Sequence, residues 1–306
     1  MVSIVRGGQN PVSQAPLAIG HHERRLSLAN VVDVGAHNRH ATPVFWHVPK
    51  AGGTTVSDLL ASCLQLTIAA EVGILGGHDM DTRLELVTVE GLSYVNVDTT
   101  TMQGIQRAQK MGFANAQPAS AVITPYLREA TAQLFTPDHP ATLFTLLRHP
   151  VPRAVSMFYY LQEAHWEKDT YHPEWANMTI LEYAKSEFAE HNWMIQFLVG
   201  KPYVTSDDLE DAKAILSKMY IGFVMNMENS LQRFGKAFGW SEFQAWNNCM
   251  EISATIGSNQ HNHSHVKPNS EEWNALFENN QLDAELFSYA EQLYEEQGKL
   301  YFKEVQ

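Results

Sequence analysis

The stretch TPVFWHVPKAGGTT, residues 42–55, decides the fold class. VFWHV is a short apolar run of the length and composition of a buried parallel strand. PKAGG follows as a turn. From Thr54 the apolar residues Val56, Leu59, Leu60, Cys63 and Leu64 recur on one helical face. Strand, glycine-rich turn and helix in that order open an α/β domain.

Working outward, LSYVNVD (92–98) and SAVIT (120–124) read as further strands, and ATLFTLLR (141–148) as the clearest buried one after the first. Helices are expected from Gly104 to Met111, near Leu127–Leu134, and from Pro150 and Pro152 through AVSMFYYLQEA, because proline is tolerated in a first helical turn. Strands alternating with helices imply a mainly parallel central sheet flanked by helices. The second half reads as helical. Thr179 with Glu182, and Thr205 with Asp208, have the spacing of capping boxes. Leu209, Ala212, Leu216 and Met219 form one apolar stripe; Leu282, Leu286, Tyr289, Leu293 and Tyr294 form another in a final helix. Residues 1–40 are rich in Gly, Pro, Asn, Gln and His and read as a loose arm, with Val31 to Val34 the stretch able to touch the body. Residues 41–306 are expected to form a single domain.

The 306 residues carry 21 Lys+Arg against 34 Asp+Glu, a net charge of −13. A general nucleic-acid binder needs a basic surface, so no nucleic-acid partner is expected. Two cysteines, Cys63 and Cys249, permit one disulfide but exclude a disulfide scaffold. No run approaches the length of a membrane span, and the first residues lack the apolar core of a signal peptide. Asn177 and Asn262 begin glycosylation tripeptides, which fit a secretory lumen. The nine acids and two lysines of the last 36 residues read as a solvated face.

Two segments carry chemistry. In the first, Lys50, Ala51, Gly52, Gly53, Thr54 and Thr55 join a buried strand to a helix N-terminus, whose N–H groups and dipole suit a phosphate. Lys50 adds a mobile charge. The Walker A spacing is absent, since the lysine precedes the glycines; this counts against a kinase or NTPase. The second is RHPVPRAVS, residues 148–156. Arg148 sits at the carboxyl end of a strand, where open α/β sheets bind ligands, and Ser156 lies two helical turns on. A guanidinium and a hydroxyl so placed can grip one phosphate.

Together, PKAGGTT after a first strand and R-x-x-x-x-R-x-x-S after a later one resemble the sulfotransferase superfamily. The flanks LLRHPVPRAVSMFYYL, NWMIQFLVG (192–200) and the stretch from Leu209 to Phe234 resemble its Golgi-type carbohydrate branch, including heparan and uronyl 2-O-sulfotransferase-like enzymes. The likeness runs from about residue 42 to the C-terminus. It implies a P-loop-like fold and transfer of a sulfuryl group from 3′-phosphoadenosine-5′-phosphosulfate (PAPS) to a hydroxyl, most often on a glycan. A small alcohol or phenol acceptor stays open, as does a degenerate nucleotide-binding member without activity. By the likeness, Lys50, Ala51 and Gly52 to Thr55 line the 5′-phosphosulfate pocket, Arg148 and Ser156 hold the 3′-phosphate, and Arg153 braces the loop. A late loop containing Lys267 folds over the nucleotide. No metal is implied. The likeness implies the secretory pathway or Golgi lumen, while the lack of a signal segment leaves the cytoplasm open.

Catalysis also needs a general base. Relatives carry a histidine about 20 residues before the second motif's arginine; here that region reads AVITPYLRE (121–129) and holds none. His78 in GGHD is ranked first, because the glycines suit a close approach and histidine titrates near neutrality. Glu129, Glu163 and His165 follow. His261, His263 and His265 alternate, but without ligand-spaced partners they read as a polar loop rather than a metal site. Trp166, Trp175 and Trp193 are candidates for a sugar-stacking platform, with core packing as the plainer reading.

Overall fold

The computed structural model describes residues 28, 30–36, 38–165, 171–255 and 266–301. Seven strands form one sheet: β1 (Thr42–Trp46), β2 (Ile68–Ala69), β3 (Leu86–Val89), β4 (Leu92–Val95), β5 (Ala121–Thr124), β6 (Ala141–Leu147) and β7 (Met219–Phe223). Their spatial order is β3-β4-β2-β5-β1-β6-β7, with every pairing parallel except the β3–β4 hairpin at one edge. The helices are α1 (Gly53–Asp58), α2 (Met102–Lys110), α3 (Phe113–Ala116), α4 (Leu127–Leu134), α5 (Pro150–Glu163) and α6 (Ile180–Ala184), then α7 (Trp193–Val199), α8 (Ser206–Leu216), α9 (Met227–Ala237), α10 (Gln244–Thr255), α11 (Glu271–Asn279) and α12 (Gln281–Tyr301). A π-helical turn, Leu59–Cys63, continues α1.

The fold is thus α/β, a mostly parallel sheet with helices on both faces. Alternation along β1 explains the two layers. Val44 and Trp46 face a core built with α2, α4, α7, α8 and α12, whereas Phe45 faces one built with α1, α9 and α10. A third apolar cluster joins α5, α6 and α11. Among the described residues, no helix is long and apolar enough to cross a membrane.

Several sequence expectations meet this architecture unevenly. Both capping boxes form: Thr179 N–H donates to Glu182 Oε2 at 2.7 Å, and Thr205 N–H to Asp208 Oδ2 at 2.9 Å. The stripes on α8 and α12 pack into the core, with Leu282 and Tyr289 only partly buried. Met219 is a correction. It belongs to β7 and not to the helix before it, so the helical second half contains the strand that closes one edge of the sheet. The five residues MYIGF are all buried, and an apolar run that short carries no period to separate strand from helix. The described part of the N-terminal arm does not hang loose. Val31 bridges Ala141, Val32 N–H donates to the Ala141 carbonyl at 2.8 Å, and Gly35 N–H donates to the Tyr220 hydroxyl at 2.9 Å. Cys63 and Cys249 are joined in a disulfide.

Candidate functional site

Pairing of β1 with β6, in the register Trp46 opposite Thr145, brings the loops after these strands side by side. From β1 the chain crosses towards β2 on one side; from β6 it crosses towards β7 on the other. The two loops therefore part at a topological switch point, where open α/β sheets form their ligand crevice. Both phosphate-type motifs meet there. Arg148 Nη1 donates to the Lys50 carbonyl oxygen at 3.4 Å.

The turn is built tightly. Lys50 has φ +62°, a left-handed conformation that costs a residue with a Cβ roughly 1–2 kcal/mol. Gly52 has φ +81° and caps α1; a Cβ there would also lie 2.9 Å from the Met227 methyl. At Gly53 a Cβ would come within 2.1 Å of His47 Nε2. Both glycines thus serve the chain's own packing, a reason additional to approach of a ligand. His47, whose ring stacks on Phe45 at 6.0 Å, is held down at a pKa of about 4 by burial and then by the Lys50 charge. It stays neutral beside the loop. Ala51 is buried and its N–H donates to the Val48 carbonyl at 3.2 Å, so this residue locks the turn from within.

The Lys50 ammonium lies 4.1 Å from the centre of the Tyr160 ring on α5. Burial, and next the Arg148 charge, lower its pKa to about 8. Burial, then Arg153, lowers that of Arg148 as well. Among the described residues neither Lys50 nor Arg148 has an ion-pair partner. Two half-buried cations pressed together without a counter-charge repel one another and make the local potential positive. Ser156 is buried one turn before Tyr160, and residues four apart share a helix face, so α5 turns Ser156 and Tyr160 together towards Lys50. Arg153 faces elsewhere. It is fully buried, and its Nη2 donates to Glu190 Oε2 at 2.7 Å.

The candidate bases separate. His78 stands at the carboxyl end of β4, where its Nδ1 meets Asp81 Oδ2 at 2.8 Å and Arg107 Nη2 donates to its carbonyl at 2.8 Å. Three strand spacings, about 14 Å, lie between β4 and β1. A Cβ at Gly76 or Gly77 would meet nothing within 4 Å, so these glycines do not mark a close backbone approach. Glu163 and His165 are exposed at the far end of α5, Glu163 one turn beyond Tyr160. Glu129 lies in the first turn of α4, directly after β5, the other neighbour of β1. It is 4% exposed, its Oε2 has no hydrogen-bond partner, and burial pushes its pKa up.

Lys267 is exposed on the approach to α11. That helix stacks Trp273 on His149 at 5.3 Å, so Lys267 leads into a helix that packs on the second motif. Trp175 and Trp193 are buried rather than displayed: Trp175 stacks with His172 at 4.8 Å and Trp193 with Phe197 at 4.0 Å. Trp166, His261, His263 and His265 fall outside the described residues. Sequence reasoning missed His47, Tyr160 and Glu190. For Tyr160 a signal existed, its position four residues after Ser156. No family model matches this chain, and no curated protein matches it either.

Proposed function

We propose that the chain is a PAPS-dependent sulfotransferase with a P-loop-like core, acting on a hydroxyl acceptor, most simply a carbohydrate. One observation carries the reading: Lys50 and Arg148, without ion-pair partners among the described residues, converge at the switch point between β1 and β6. Ser156 on the facing side of α5 supports a second phosphate contact. The donor supplies a sulfuryl group on a leaving phosphate, and its two phosphate ends match two cationic motifs a loop apart. Sulfuryl transfer, like phosphoryl transfer, asks the protein for position and charge. Lys50 stabilises the negative charge that grows on the bridging oxygen as the sulfur–oxygen bond breaks. Arg148 and Ser156 hold the distant 3′-phosphate. Glu129 takes the proton of the acceptor hydroxyl as its oxygen bonds to sulfur; a carboxylate with a raised pKa suits that task. The Cys63–Cys249 disulfide favours an oxidising compartment, in line with a secretory-pathway lumen.

Thermal shift with 3′,5′-adenosine bisphosphate, 5′-AMP and ATP, followed by transfer of labelled sulfate to a glycan and phenol panel, tests this. The bisphosphate should stabilise most. Stabilisation by ATP alone points to a phosphotransferase, and binding without transfer to a degenerate member. Glu129→Gln should slow turnover by about 10²–10⁴-fold, whereas His78→Ala should leave it within a few-fold. The reverse result returns the proton to His78.

A further inference from the structure

Lys50 belongs to a turn, yet its ammonium has a fixed place. The backbone there is left-handed, with φ +62°, and Arg148 Nη1 donates to the Lys50 carbonyl at 3.4 Å. These features fix where the side chain starts. The Tyr160 ring, whose centre is 4.1 Å from the ammonium, fixes where it ends. A lysine side chain left to itself samples many rotamers, so a defined end point needs a partner. Tyr160 suits that task because it stands on a helix rather than a loop. Helix α5 is held by the buried Arg153–Glu190 pair and by Phe158, whose ring stacks on Tyr183 at 4.8 Å. Tyr160 itself is half-buried against the cluster that joins α5, α6 and α11. The kind of partner matters as much as its place. A carboxylate would attract the ammonium, but would also neutralise it and compete with an incoming anion. An aromatic face attracts a cation through its quadrupole and brings no net charge. Glu163, one turn further along α5, is exposed and makes no ion pair with Lys50.

We propose that Tyr160 is a positioning residue: its ring holds the Lys50 ammonium by a cation–π contact, ready for the donor's bridging oxygen, without a counter-charge that would compete with the donor. The ring covers one side of the ammonium and leaves the rest of it to the anion. It also offsets part of the repulsion from Arg148, so Lys50 keeps more of its charge than burial would otherwise allow. The other titratable neighbour, His47, is neutral and adds no charge of either sign. As a brace for the lysine, Tyr160 stands on this geometry alone; as a positioning residue for transfer, it rests on the sulfotransferase reading.

The test compares Tyr160→Leu, which removes the ring, with Tyr160→Phe, which keeps it. The Lys50 amine is titrated without any ligand, from the pH dependence of its acylation by acetic anhydride, read by mass spectrometry. In the unaltered protein the midpoint should lie at about 8. Tyr160→Leu should lower it by roughly half a unit to one unit, the worth of a cation–π contact, and Tyr160→Phe should hold it in place. Turnover with saturating donor and calorimetric affinity for 3′,5′-adenosine bisphosphate are then compared at about pH 6.5, where Lys50 is largely charged in all three proteins. Tyr160→Leu should cut turnover about tenfold and affinity by no more than about threefold, and Tyr160→Phe should rescue both. A Lys50 midpoint indifferent to Tyr160→Leu, or a Tyr160→Phe variant that behaves like Tyr160→Leu, overturns the inference. Equal losses of turnover and affinity in Tyr160→Leu overturn the positioning role. Absence of bisphosphate binding in the unaltered protein, with the Lys50 midpoint still following the ring, sinks the transferase reading and spares the brace.

Discussion

Lys50 is where the chemistry of single residues can be measured most directly. An ordinary lysine stays charged to about pH 10.4, but this one titrates at about 8 because it is half-buried beside Arg148. In the unfolded chain the proton is held more tightly than in the fold, so raising the pH from about 8 towards 10 should stabilise the protein on this account. A bound phosphate favours the charged form and restores the proton. Binding of 3′,5′-adenosine bisphosphate above pH 8 should therefore take up close to one proton, visible when calorimetric heats are compared in buffers of different ionisation enthalpy. Lys50→Ala should abolish that uptake and cut saturated turnover by on the order of 10²-fold. Arg148→Ala should instead raise the donor dissociation constant by roughly 10- to 200-fold, since the 3′-phosphate carries the same charge throughout. Proton uptake that survives in Lys50→Ala would assign the titration elsewhere. Both cations were legible in the sequence because each ends a buried strand before a helix. Their mutual contact was not, because nothing in the sequence reveals that β1 and β6 are neighbours.

Among the elements, those with a clear signal formed where the sequence put them. Helix α4 spans Leu127–Leu134 and β6 ends at Leu147, both at or within a residue of the reading. The two-residue β2 and the four-residue edge strand β3 were not read, both being too short to show a period. Helix α5 poses a different question. It is fastened to the segment before α7 by Arg153 and Glu190, side chains 0% and 2% exposed. The pair is not fully satisfied, since Arg153 Nε and Nη1 and Glu190 Oε1 lack partners. Removing either member alone leaves a buried charge, so Arg153→Met should cost about 3–5 kcal/mol in urea unfolding. Replacing both with methionine removes both desolvation costs and should recover most of that loss. A double variant no more stable than the single one would mean that the pair itself holds α5 in place.

At the scale of the whole molecule, the disulfide joins chain positions 186 residues apart, tying the helical segment begun by the phosphate-type turn to α10. Such a link acts chiefly by restricting the unfolded chain, and the longer the enclosed loop the larger the effect. Cys63→Ser, or reduction of the native protein, should therefore lower stability by about 2–4 kcal/mol. For a chain of this length that is a fall in Tm of about 3–6 °C. The same logic predicts what should not change. A ligand at the β1–β6 crevice stabilises the folded form by an amount that grows with the logarithm of its concentration over its dissociation constant, independently of how restricted the unfolded chain is. The increment in Tm given by 3′,5′-adenosine bisphosphate should then be nearly equal in oxidised and reduced protein. Equal increments at two different baselines would separate a tie that constrains the unfolded chain from one that shapes the loop. If reduction instead erases the increment, Cys63 is holding α1 in register with Lys50 and Arg148, and the disulfide belongs to the binding site.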